Sequence, residues 1–183
     1  IQKPYVKGDR EDYDKDIIDR YNHGELQSAD SIHFADSLKH TTLRLHRTVY
    51  GGGGIMPDVF VPLDTTQYTA FHRQLVARSL VINATLRYVE NHREELKAEY
   101  TKFDDYMKHF EVPQAMVDSL FAEAERQKVK PRDDEERNNT LPMLRVQLKA
   151  LIARDIWDMN EYFRLMNEHN HTVSKAVELI SGK

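Results

Sequence analysis

Residues 140–166, TLPMLRVQLKALIARDIWDMNEYFRLM, carry the clearest periodicity of the chain. Leu144, Leu148, Leu151, Ile152, Met159, Tyr162, Phe163 and Met166 recur at helical spacings, which puts them on one apolar face and makes them expected core. Val146, Ala150, Ala153 and Trp157 form a second stripe almost opposite the first. A helix apolar on two sides is covered on both, so this one is expected at the centre of a bundle. Thr140, Leu141 and Pro142 mark its expected start, because proline is preorganised for a first helical turn. Asp155 falls inside the first stripe and needs an Arg, Lys or hydroxyl partner once folded.

Outward from this segment the pattern stays helical. Six of the seven glycines lie at or before Gly54, leaving 127 consecutive residues without one. Tyr68, Phe71, Leu75, Ile82, Leu86 and Val89 predict a helix starting near Asp64, Thr65 or Thr66, whose side-chain oxygens suit a helix cap. Leu96, Tyr100, Phe103, Met107 and Phe110 predict a second helix, and Met116, Leu120, Phe121 and Ala124 a third after Pro113. The polar stretch from Lys128 to Asn139 reads as a solvated linker or an exposed helix start, and Thr172 as the cap of a last short helix.

The first 63 residues differ. Tyr13, Ile17, Ile18 and Tyr21 predict one short helix, whereas Leu43 with Leu45, Thr48 to Tyr50, and Val59 to Val61 read as short strands. Too few for a sheet of their own, they complete a sheet formed elsewhere or fold as a small hairpin. The predicted class is mainly α: a helical bundle domain over 64–183, preceded over 1–63 by a short α+β segment.

Composition narrows the function. Lys and Arg number 26 against 30 Asp and Glu, a net charge of −4 with the signs interspersed, which argues against a nucleic-acid groove. Charged residues make up 31% of the chain, no apolar run reaches the length of a membrane span, and no targeting signal is legible. The absence of cysteine excludes thiol nucleophiles, disulfides and thiolate metal sites. Gly51 to Gly54 invites a phosphate-loop reading, but Ile55, Met56, Pro57 and Asp58 follow where Lys-Ser or Lys-Thr is required. A sharp turn or a close backbone approach is the better reading. His33 with His40, and His169 with His171, lack metal-ligand spacing, so neither a metal nor another cofactor is assigned. No serine sits in GxSxG or is followed three residues later by lysine. Trp157 is a candidate for either core or interface, since buried aromatics dominate binding energies.

GGGGIMPDVFV (Gly51 to Val61) resembles the G-x-G-I-x-P-D-I segment that closes the protease domain of C-terminal processing peptidases, the tail-specific serine proteases. IQKPY (Ile1 to Tyr5), DSIHFADSLK (Asp30 to Lys39) and KALIARDIWDMNEYF (Lys149 to Phe163) are similar to bacterial envelope members of that family. The resemblance implies a parent protein that hydrolyses peptide bonds with a Ser/Lys dyad. In that family the dyad precedes the strand whose end Ile1 and Gln2 resemble, so the resemblance implies a dyad upstream of this chain, and no catalytic residue is assigned here. Gly53, Gly54, Ile55, Pro57 and Asp58 match the motif, and their implied role is to shape a turn and strand. Residues 3–50 are an insertion relative to simpler members. The implied partner is a polypeptide substrate reached through the protease domain, and the implied location is the bacterial envelope or periplasm. Self-association into a homo-oligomer stays open, as does the other reading, a helical module that recruits a protein partner.

Overall fold

A computed structural model describes residues 7–8, 10–51 and 57–182. The chain divides into two compact units, Ile1–Asp64 and Thr65–Lys183. It is mainly α, with eight α-helices and one two-stranded sheet among the described residues.

In the first unit, α1 (Arg10–Asn22) ends before Gly24, whose φ of +80° favours a residue without a side chain. Strands β1 (Lys39–Thr41) and β2 (Thr48–Tyr50) pair antiparallel, with His40 opposite Val49. Thr48 to Tyr50 is thus a strand, but its partner is Lys39–Thr41, and two other expected strands are corrected. Leu43 and Leu45 lie in the connecting turn, 97% and 69% exposed. Val59 to Val61 is irregular. Alternation and β-branching were present there, but among the described residues no neighbouring strand supplies the ladder that would turn them into sheet. Phe34 stacks on Tyr50 with ring centroids 4.6 Å apart, yet none of the unit's described residues is buried.

The second unit holds the core. Helices α2 (Ala70–Ala77), α3 (Leu80–Glu99), α4 (Phe103–His109), α5 (Gln114–Arg126), α6 (Asp134–Ile156), α7 (Met159–Asn167) and α8 (His171–Ser181) follow one another. The stripe expected as one helix from Asp64 is two helices. Thr69 caps α2, its hydroxyl accepting from the His72 amide, and Ser79, at φ +58°, breaks the chain between α2 and α3. Leu86, expected in the core, is 50% exposed, because the break rotates the second half of the stripe.

α6 begins well before Thr140. Asp133 accepts from the Glu136 amide, and Asp134, Glu135 and Glu136 complement the positive end of the helix, so the polar stretch contains a charged first turn. Pro142 consequently lies inside the helix. The helix also stops earlier than its periodicity suggests: Trp157 ends it at φ −112°, ψ −98°, and Asp158 caps α7 by accepting from the Asn160 amide. After this break Met159 and Phe163, predicted as core, are 50% and 53% exposed, while Leu165 is buried. Asn170, rather than Thr172, caps α8 through the amides of Thr172 and Val173. α6 is nevertheless central: it packs on α2, α3 and α7, and Leu144 and Ile152 of one stripe are buried along with Ala150 and Ala153 of the other. Among the described residues no helix is long and apolar enough to cross a membrane.

Candidate functional site: a polar seam and an aromatic hub

Polar side chains buried in a helical core need partners, and α2 and α6 supply them to each other. The seam begins with the α2 cap. The His72 amide donates to Thr69 Oγ1 at 3.1 Å, Thr69 Oγ1 lies 2.6 Å from Thr140 Oγ1, and the Thr140 hydroxyl donates to the Glu136 carbonyl at 2.7 Å. Since each hydroxyl has one proton, the chain has one direction: Thr69 donates to Thr140. The Glu136 carboxylate accepts from the amides of Phe71 (3.0 Å) and Arg132 (2.7 Å), and these two bonds lower its pKa. Gln67 Nε2 donates to the His169 carbonyl at 2.9 Å, so the turn before α8 joins the same end of the unit.

His72 sits at the middle of the seam, 1% exposed. Its Nε2 is 2.7 Å from Gln147 Oε1, and the Tyr68 ring meets it edge-on at 5.0 Å. With Oε1 accepting, Nε2 carries the ring proton and Nδ1 keeps a lone pair, which is buried without a hydrogen-bond partner among the described residues. Burial lowers the imidazole pKa below its ordinary value, more strongly than the bond to Gln147 raises it; the Arg73 charge adds to the lowering. At this burial the ring meets no solvent, so it holds helices together instead of shuttling protons.

The second cluster is aromatic. Tyr106, fully buried, stacks on Phe110 at 4.6 Å and contacts Tyr100 at 5.4 Å, Trp157 at 5.2 Å and Phe103 at 6.3 Å. Its hydroxyl donates to the Lys149 carbonyl at 2.9 Å, and burial pushes its pKa far above the ordinary phenol value. Lys149 Nζ returns to the Met107 carbonyl at 2.7 Å, and Arg145 Nη1 donates to the Val112 carbonyl at 2.7 Å. Two basic side chains one turn apart on α6 therefore hold the end of α4 and the connection to α5. Burial lowers the Lys149 pKa, against the pull of Glu168 and Glu111.

The residues singled out from sequence are scattered. Gly53, Gly54 and Ile55 lie outside the described residues. Pro57 is exposed, and Asp58 pairs with Arg47 of the hairpin turn. Trp157 is half-buried against Phe103 and Tyr106. Asp155 receives Arg154 at 2.8 Å, as its place in the stripe required. Ser119 lines an open groove between α3 and α5, of about 420 Å³, with Tyr88, His92 and Met116. The amines of Lys15, Lys130 and Lys175 reach carboxylates and that of Lys149 a carbonyl, and among the described residues no serine hydroxyl hydrogen-bonds a lysine. No three His, Asp or Glu side chains among them converge as a metal site.

Sequence reasoning missed the seam. The signal was there: His72 continues the Tyr68, Phe71, Leu75 face, and Gln147 adjoins Leu144 and Leu148. A histidine and a glutamine on two apolar faces predict each other only when those faces are known to meet.

A family model matches residues 71–158, that of a family of unknown function, DUF8443. The matched segment runs from α2 to just past α6, so it contains His72, Gln147 and the aromatic hub and omits α7 and α8. No curated protein and no solved structure matches the chain.

Proposed function

We propose that the chain is the non-catalytic C-terminal region of a bacterial serine endopeptidase of the carboxyl-terminal processing type, with a Ser/Lys dyad outside it performing the hydrolysis. The observation that carries this reading is the lack of any buried residue among those described in the first unit. A hairpin of three-residue strands with one helix has little to hold it, which supports its packing on a sheet from elsewhere. The resemblance of Gly51 to Val61 to the end of a protease domain names the kind of sheet. The helical unit has its own core and serves as an appendage to that domain, in the envelope or periplasm that the resemblance implies. The 183-residue chain alone is expected to leave an unfolded protein substrate intact, while the full-length parent degrades it and loses that activity when its dyad serine or lysine is replaced. Turnover by the chain itself, or a parent indifferent to either replacement, overturns the proposal.

A second reading, recruitment of a protein partner or substrate, is favoured by the apolar surface of α7 and α8. Met159, Phe163, Val177, Leu179 and Ile180 are all at least half exposed, more apolar surface than two short helices ordinarily leave to water. Replacing Phe163 and Ile180 together by serine is expected to leave thermal stability nearly unchanged, since neither is buried. In the parent protease the same pair should lower kcat/KM on a protein substrate but not on a short peptide. Equal values on both substrates before and after replacement count against recruitment.

A further inference from the structure

We propose that α2 is a hinged arm that His72 holds against α6 while its imidazole is neutral, and that mild acid releases it. The inference rests on the seam and is independent of the protease reading. His72 has one bonded nitrogen and one buried nitrogen with no partner among the described residues. Protonation must place a second N–H at Nδ1, where no acceptor among the described residues waits, and must leave a cation 1% exposed. Both consequences favour the open arm.

The surroundings offer that cation little relief. Arg73 of α2 itself opposes it. Tyr68, from the preceding segment, presents a ring edge, and its own pKa is raised, mainly by burial and then by Tyr162 of α7. On α6, Gln147 is neutral and Glu136 is committed to the amides of Phe71 and Arg132. The buried residues of α3, which packs on α2, are Leu80, Val81, Ala84, Thr85, Val89 and Leu96, none of them titratable. Ser79, in the left-handed region at the α2–α3 joint, supplies a pivot, and α2 is only eight residues long. The seam connects α2 to α6 at Phe71–Glu136, Thr69–Thr140 and His72–Gln147, beside the buried side chains of Phe71 and Leu75.

The sign follows from linkage. A histidine with a lowered folded-state pKa stabilises the closed arm fully above its ordinary value of 6.5, and that contribution disappears as pH falls below 6.5 toward the lower folded value. Hydrogen exchange on the whole chain, corrected for intrinsic rates, tests this. Between pH 7.5 and pH 5.0 the amides of α2 are expected to lose protection by roughly tenfold while those of α5 keep theirs. In His72→Gln, whose amide nitrogen still reaches Gln147, the α2 protection should not vary with pH. Constant α2 protection in the unmodified chain, a loss shared equally by α5, or a loss that persists in the variant would overturn the proposal. Should the variant not fold, NMR titration of the unmodified chain decides: the α2 opening must follow the His72 ring signals, and a midpoint that tracks another histidine sinks the idea.

Discussion

Replacing Tyr106 by alanine is expected to lower the unfolding free energy by about 3–5 kcal/mol, the range for a fully buried aromatic. Tyr106 is 0% exposed and touches four other aromatic rings, so its removal leaves a cavity bounded by Tyr100, Phe103, Phe110 and Trp157. These rings come from the end of α3, from α4, and from the end of α6, and cannot all collapse inward without moving their helices. The cost also includes the Lys149 carbonyl, which loses its hydroxyl donor. Tyr106→Phe separates the two contributions. It keeps the ring and removes only the hydrogen bond, so about 1 kcal/mol is expected. Urea unfolding of both variants checks this, and equal losses would mean that the hydroxyl, not the ring, organises the hub. Trp157→Ala should cost less than Tyr106→Ala, because the indole is half-buried and forms one wall of the cluster.

The hub shows what could be read from sequence and what could not. Apolar spacing placed Leu144, Leu148 and Ile152 on one helical face, because burial follows a periodic stripe. But the single helix it predicted through Leu96, Tyr100, Phe103, Met107 and Phe110 is two: α3 ends at Glu99, α4 starts at Phe103, and Phe110 lies just past its end. The mainly helical class follows from the same stripes and from the long stretch without glycine. Breaks between helices were less legible. A stripe running from Tyr68 to Val89 carries no mark of the turn at Ser79, where a serine adopts a backbone conformation usually left to glycine or asparagine. The break at Trp157 was hidden in the same way: Asp158 is a good cap, but the apolar spacing continues through it to Met159 and Phe163. Periodicity reports which residues would share a face if the helix continued, and it is silent on whether the helix continues. The seam was illegible for a different reason. Thr69, His72, Thr140 and Gln147 are polar residues whose pairing exists only across two helices, 71 and 75 positions apart in the chain.

Pro142→Ala is expected to stabilise the helical unit by about 1–3 kcal/mol, the opposite sign to most substitutions. Pro142 is in the interior of α6, where its ring nitrogen has no hydrogen for the carbonyl four residues earlier, that of Asn138. It is also exposed, so alanine loses no core contact. Part of the gain is cancelled because alanine restores freedom to the unfolded chain, which sets the lower end of the range. The neighbouring Thr140 gives the position further meaning. Its hydroxyl bonds back to the Glu136 carbonyl, an interaction that tends to bend helices, and the same oxygen accepts from Thr69. A turn weakened by both Thr140 and Pro142 is thus the turn that meets the α2 arm. If the weakness serves only as a local fault, Pro142→Ala raises the melting temperature and leaves hydrogen exchange in α2 unchanged. If it shapes α6 to receive Thr69 and His72, the same substitution stabilises α6 while lowering protection in α2. The two outcomes are separable in one experiment, because amides of α6 and α2 are read independently, and a fall in global stability would refute the expectation that this proline is a cost to the helix.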